Sequence, residues 1–350
     1  MLSSPEPPCP PPASPESSPA VSPPEQDAPT DRTTTPSTSA TWSRYCRSPI
    51  ARRMAVDNKR SFVAWQVGGV RDRTRGPATW PRLRISDVLH DSVTAGDPAR
   101  LAHEICGGGP RLVLVHGFTQ TRRVWDALAD PLATSHELVL VDAPRHGASR
   151  TIGAGLEEAG RLLLATGGVA TYVGYSMGGR LCLHAALADG ASRVRGLVLI
   201  GASPGLRSEA ERTERIALDE SWAELLESEG IDTFLDRWLA QPLFAQLPAE
   251  RAALRERHRN DPLALAASLR EAGTGTQAPL WEALRRLAMP VLVLAGERDE
   301  RFSALGREMA DTIGGNAEYR AVPRAGHALH LENPGGFLAA VVPWLQDNGL

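Results

Sequence analysis

The sequence predicts an α/β protein built on a mostly parallel, doubly wound sheet that carries an inserted helical cap. Three observations predict it. Short β-branched apolar runs recur along the chain, helical stretches fall between several of them, and residues 207–288 interrupt the alternation with amphipathic helical segments and no good strand. Near-continuous apolar runs suit strands covered on both faces of a parallel sheet, and alternating β and α units wind such a sheet.

Residues 1–41 hold 12 of the chain's 28 prolines, abundant Ser and Thr, and no aromatic residue. Such a segment cannot bury enough apolar surface to offset the entropy of ordering. From Trp42 to about Ala102, Arg44, Arg47, Arg52, Arg53, Lys59 and Arg60 form a basic run, and no sustained period follows. Residues 1–100 are therefore read as a disordered, low-complexity extension. The stretch from Trp42 is either an upstream-extended reading frame or a floppy leader, with Met54 as an internal start, or a regulatory or targeting arm.

Order is expected from about Leu101. Leu101–Ile105 and Leu112–Val115 read as two strands joined by the Gly-rich turn Gly107–Pro110, and further strands are expected at 137–142, 171–174, 194–200, 291–294 and 318–322. Helices are expected around 121–134, 154–166, 178–189 and 300–314. This divides the chain into a first core segment (101–206), a cap (207–288) and a second core segment (289–350). An insertion without strands cannot join the sheet, so it is expected over the carboxyl edge, where ligands bind in this architecture.

Bulk properties exclude several function classes. The formal charge of -3, from 38 Lys+Arg against 41 Asp+Glu, offers no global attraction for nucleic acid or an anionic membrane. Cys9, Cys46, Cys106 and Cys182 are scattered, without a CxxC pair or a nearby ligand His, which argues against a zinc site or a disulfide framework. They read as free thiols in a reducing cytoplasm. No apolar run is long enough for a membrane span, and no secretory signal is visible. No cofactor or metal is expected: the Gly167-Gly168 pair lacks the pattern of a phosphate-binding loop.

Gly174-Tyr175-Ser176-Met177-Gly178 matches the G-x-S-x-G nucleophile elbow of α/β-hydrolases and lies between an expected strand and an expected helix. A lone serine hydroxyl is a poor nucleophile or base, so an imidazole and a carboxylate must follow downstream in the order Ser, Asp, His. Asp299 and His327 occupy loops after the strands at 291–294 and 318–322. Asp299 is also placed to cap the next helix, and His327 taken alone could be a surface histidine. The order and the contexts together select the triad. His116-Gly117-Phe118 follows the strand 112–115, where two backbone N–H groups should converge on developing negative charge; Phe118 and Met177 are assigned to supply them. His116 is read as a structural turn residue, and Asp142, which precedes the elbow, as structural too.

From about Leu101 to the C-terminus the chain resembles the 2-succinyl-6-hydroxy-2,4-cyclohexadiene-1-carboxylate synthases of menaquinone biosynthesis. The residues that carry the resemblance are Ser176-Met-Gly-Gly-Arg180, Pro204-Gly-Leu206 with the Arg212/Arg215 helix, Phe234-Leu-Asp-Arg-Trp238, Gln241-Pro-Leu-Phe244 and Gly296-Glu-Arg-Asp-Glu-Arg-Phe302. The resemblance implies a lyase that removes a ring proton and eliminates pyruvate, with Ser176 as base and no acyl-enzyme. It implies a small polycarboxylate substrate, held by Arg180, Arg215 and Arg257 in a pocket lined by Tyr175 and Trp238, with Arg212 in support. Guanidinium forks suit carboxylates because they bond them in two places at once. Gln120 and Arg145 stand where the family usually has glycine, which bears on loop shape. Two other readings remain: a serine hydrolase working on an ester or carbon–carbon bond through covalent Ser176, and a non-catalytic binding module.

Overall fold

In a computed structural model of the protein, the described residues are 100–188, 191–249 and 253–350. Residues 1–99 of the expected disordered extension, with its basic run and Met54, lie outside them. Seven strands form one sheet: β1 (His103–Gly107), β2 (Arg111–Val115), β3 (Glu137–Val141), β4 (Ala170–Tyr175), β5 (Val194–Ile200), β6 (Val291–Gly296) and β7 (Ala317–Val322). Their order is β1-β3-β2-β4-β5-β6-β7. Only β1 runs antiparallel to its neighbour.

The first expected strand begins two residues later than read, and it does not lie beside β2. β3 lies between them. The Gly107–Pro110 turn runs against the end of the segment before β3: a Cβ at Gly107 would sit 2.2 Å from the His136 carbonyl oxygen, and one at Gly109 2.4 Å from that of Ser135. Only glycine passes there, and β1 is delivered to the far edge of β3, leaving both edges of β2 to parallel partners.

Strand side chains alternate between two cores, as the pleat requires. Val113, Val115, Leu197 and Val293 pack against α2 (Leu156–Gly167), α3 (Met177–Leu187) and α7 (Glu300–Ile313) through Leu163, Leu181 and Met309. Leu112, Leu114, Val198 and Leu292 pack on the opposite face against α1 (Asp126–Ala133) and α9 (Pro334–Asp347) through Leu128, Phe337 and Trp344. The helix expected at 121–134 divides in two: Thr121 caps a 3₁₀ turn, Arg122–Trp125, before α1 begins.

Successive strands leave β2 in opposite directions, β3 to one side and β4 to the other, so the crevice where ligands bind opens between β2 and β4. Over it lie α4 (Glu209–Leu239), interrupted at Gly230 with φ 79°, the single turn α5 (Leu254–Arg257) and α6 (Pro262–Ala272). Ser208 and Glu211 form a capping box at the start of α4, and Asp261 caps α6. α4 and α6 enclose their own core of Ala223, Leu226, Phe234, Leu235, Trp238, Leu265 and Leu269, against which Phe118 also packs. Trp281, Leu284 and Leu287 return the chain to the core beneath the sheet. α8 (Leu329–Glu332) follows β7. No helix among the described residues is long and apolar enough to cross a membrane.

Asp142 is fully buried at the end of β3. It accepts from the Arg122 backbone N–H at 2.7 Å and the Ala148 N–H at 2.9 Å, and it pairs with the Arg122 guanidinium. The same guanidinium reaches buried Glu104 on β1 at 2.8 Å. Arg122 thus bridges two buried carboxylates, with Arg123 as a second partner of Glu104, and ties the sheet edge to the turn before α1. Removing it strands the buried Asp142 charge and leaves Glu104 to Arg123 alone, so Arg122→Ala should cost about 3–5 kcal/mol of stability. Urea unfolding measures this, and an unchanged midpoint would contradict it.

Candidate active site

The site is built on the turn between β4 and α3. Ser176 sits there at φ 50° and ψ -109°, a conformation that costs an L-residue about 1–3 kcal/mol. Glycine neighbours make the turn possible: a Cβ at Gly174 would lie 2.5 Å from the Gly178 carbonyl oxygen, and one at Gly178 only 2.3 Å from that of Val115. The Ser176 N–H donates to Ile200 O at 2.8 Å, anchoring the turn to β5.

His327 follows β7, and its Nε2 lies 3.3 Å from Ser176 Oγ. Its Nδ1 lies 2.9 Å from Asp299 Oδ2. The other Asp299 oxygen accepts from the Phe302 N–H at 3.1 Å, so one carboxylate both caps α7 and orients the imidazole. Glu332 braces the His327 turn from below, accepting from the Gly326 N–H and, at 3.0 Å, from the Ala328 N–H. Phe302 closes over the imidazole with ring centroids 4.5 Å apart.

Phe118 lies in the turn after β2, and Met177 opens α3, where a helix leaves its N–H groups without intrahelical acceptors. Neither amide donates to a protein acceptor among the described residues. Gln120 fastens the turn, its Oε1 accepting from the Gly117 N–H at 3.0 Å. Gly117 cannot carry a side chain, because a Cβ would stand 2.7 Å from the Tyr175 ring.

A cavity of about 320 Å³ opens above Ser176. Phe118, Tyr175, Met177, Arg180, Arg215, Trp238, Arg257 and His327 line it with the serine, and Asp299 stands behind His327. The three arginines come from three elements and are held differently. Arg180, on α3, is 7% exposed and donates to Ala272 O at 2.8 Å and Gly273 O at 3.1 Å. Arg215, on α4, pairs with Asp219 at 2.8 Å. Arg257, closing α5, is 1% exposed and donates to the Thr119 hydroxyl and to Phe118 O at 3.5 Å. Burial lowers Arg180 and Arg257 to about 10, with Arg215 adding repulsion on Arg180, so both stay cationic at neutral pH. Arg212 does not line the cavity; it donates to the carbonyls of Leu206 and Arg207.

Sequence reasoning overlooked Arg301 and Ser203, which also line the cavity. Arg301 makes no ion pair among the described residues. Its signal was its place in the Gly296–Phe302 segment, two residues after Asp299. No group of three or more His, Cys, Asp or Glu side chains able to hold a metal occurs among the described residues.

Comparison with known proteins follows the same lines. The model of the alpha/beta hydrolase family matches residues 112–341. The 2-succinyl-6-hydroxy-2,4-cyclohexadiene-1-carboxylate synthase of Salmonella agona is 37% identical over 269 residues, covering 74% of this chain and 99% of that protein. The structure of MenH from S. aureus superposes with a TM-score of 0.66 at 29% identity, covering 71% of this chain and 99% of that one. A thermophilic esterase from Thermogutta terrifontis shares the fold, with a TM-score of 0.61 at 24% identity over 71% of this chain and 93% of its own.

Three buried imidazoles surround the site, and two of them tie its loops together. His116 Nε2 accepts from the Ala143 N–H at 3.0 Å and His146 Nε2 from the Thr119 N–H at 3.2 Å, so each ties the turn after β2 to the loop after β3. His330 lies between Trp125 and Tyr175 with neither nitrogen hydrogen-bonded among the described residues. Desolvation lowers His116 to about 4, and His146 and His330 to about 3, from an ordinary value of 6.5. The unfolded chain then binds more protons than the folded one below pH 6.5. Stability from these neutral rings is full above that value and drains as pH falls toward the folded values, by up to about 1.4 kcal/mol per pH unit for each ring. Urea midpoints between pH 7 and pH 4.5 should therefore fall. His330→Phe should flatten the slope by about one proton; an unaltered slope would show that this ring does not contribute.

Proposed function

The chain belongs to the α/β-hydrolase family and, within it, to the 2-succinyl-6-hydroxy-2,4-cyclohexadiene-1-carboxylate synthases, and on that footing we propose how its residues eliminate pyruvate from 2-succinyl-5-enolpyruvyl-6-hydroxy-3-cyclohexene-1-carboxylate. In this reading Ser176 Oγ removes the ring proton at carbon 2, beside the succinyl ketone, and passes its own proton to His327 Nε2. Asp299 keeps the resulting imidazolium oriented and balanced in charge. Negative charge moves onto the ketone oxygen, where the Phe118 and Met177 N–H groups can receive it. The electrons then return through the ring, the double bond between carbons 3 and 4 shifts to give a 2,4-diene, and the bond from carbon 5 to the enolpyruvyl oxygen breaks. The leaving enolate takes up a proton and becomes pyruvate. No covalent enzyme intermediate and no water are consumed.

The observation that carries this reading is the convergence of Arg180, Arg215 and Arg257 on the cavity that holds Ser176. The substrate's name specifies three carboxylates, on the ring, the succinyl arm and the enolpyruvyl group. Three guanidiniums suit such a molecule, whereas a neutral ester would bring no anion to meet the buried Arg180. Trp238 and Tyr175 supply apolar walls for the ring. A cytoplasmic location belongs to the same proposal, supported by the free thiols of Cys106 and Cys182.

The test is pyruvate release by the purified protein from the enolpyruvyl cyclohexene precursor, run beside a p-nitrophenyl ester. Pyruvate formation with slow ester turnover is expected; rapid ester hydrolysis without pyruvate would replace the lyase with a serine hydrolase. Arg180→Ala should lower kcat/KM by about 30- to 1,000-fold, equivalent to about 2–4 kcal/mol of a lost charged contact. Its unfolding midpoint should move far less, and unchanged kinetics would remove the role assigned to this arginine.

A further inference from the structure

Arg145 presents an unexplained cost. It lies in the loop after β3 at φ 66°, in the left-handed region that disfavours a residue with a Cβ. Its side chain is not free in solvent. The guanidinium spans from the core to α6 and grips Glu271 at two points, Nε to Oε2 at 3.1 Å and Nη2 to Oε1 at 2.5 Å. Glu271 Oε2 also accepts from the Ala154 N–H at 3.1 Å. Glycine at 153 leaves room for this geometry, since a Cβ there would meet the Arg145 guanidinium at 2.3 Å.

Glu271 immediately precedes Ala272 and Gly273, whose carbonyl oxygens receive the Arg180 guanidinium. These are carbonyls at the C-terminal end of α6, which carries the negative end of the helix dipole. The end of α6 therefore supplies the hydrogen-bonding acceptors of a buried cation, with the Asp219 carboxylate acting on it only through space. Ser268, one turn earlier, approaches Met177, the residue after the serine, at 4.0 Å. The register of α6 against the elbow thus sets where the Arg180 guanidinium points, and the Arg145–Glu271 pair joins the core loop to the last turn of that helix.

We propose that Arg145 and Glu271 are positioning residues: they act as a strap that fixes the end of α6 so that Arg180 is presented to a substrate carboxylate. Neither touches the reacting atoms. The backbone strain at Arg145 is explained because the strap must leave the loop from this position. The substrate clause rests on the lyase reading above, but the mechanical claim does not.

The experiment uses Arg145→Gly, which relaxes the left-handed backbone while removing the strap, and Glu271→Gln, which keeps the volume and removes the charge. Without substrate, amide hydrogen exchange across residues 262–273 should quicken about tenfold in both variants, while the unfolding midpoint of Arg145→Gly stays level or rises. Exchange rates equal to wild type would overturn the strap whatever the enzyme's reaction. With the enolpyruvyl precursor, each variant should raise KM about five- to tenfold and leave kcat within about twofold. The double variant should be no worse than the poorer single one, since both remove the same contact. Additive losses, or a KM unchanged in both, would overturn the positioning role. A wild-type protein that releases no pyruvate would instead overturn the lyase reading and leave the exchange result to decide the strap.

Discussion

The strained turn at Ser176 is the constraint on which the rest of the site depends. Its backbone is held outside the ordinary regions by two close approaches, Gly174 against Gly178 and Gly178 against Val115, and by a hydrogen bond to β5. The turn starts α3 at Met177, next to the serine, and the Met177 N–H has no acceptor among the described residues. It also places Arg180 one helical turn from the serine. A single local geometry thereby presents a hydroxyl, an amide donor and a cation together.

The surrounding structure supplies what that turn cannot. Asp299 divides its two oxygens between capping α7 and orienting His327, so the loop that holds the acid cannot drift without also fraying a helix. Glu332 grips the amides on both sides of His327. Across the crevice, His116 and His146 bind two loops together through neutral ring nitrogens. Hydrogen bonds that need an uncharged imidazole make the loops firm at neutral pH and acid-sensitive below it.

The cavity manages positive charge by using different counter-groups for each cation. Arg215 has a carboxylate, Arg180 has the carbonyl end of a helix, and Arg257 has a hydroxyl and a backbone carbonyl. Carbonyls satisfy the donors of Arg180 without supplying a full opposing charge.

Much of this was legible in the sequence because the signals are local. Strand and helix periods, the glycine spacing of the elbow and the order Ser, Asp, His depend on neighbours in the chain, and they located the alternating elements and the three residues now found within hydrogen-bonding reach. What stayed hidden depends on contacts between distant segments. The pairing of β1 with β3 is set by a crowded turn against Ser135 and His136, and the linkage of Arg145 to Glu271 crosses 126 positions of sequence. Arg301 carried no signal apart from its neighbours, since a guanidinium on an amphipathic helix looks alike whether it faces water or a cavity. Residue order alone determined the chemistry available to the chain; only the packing of α4 and α6 over the crevice decided which charges face the serine, because burial and direction arise from the whole fold.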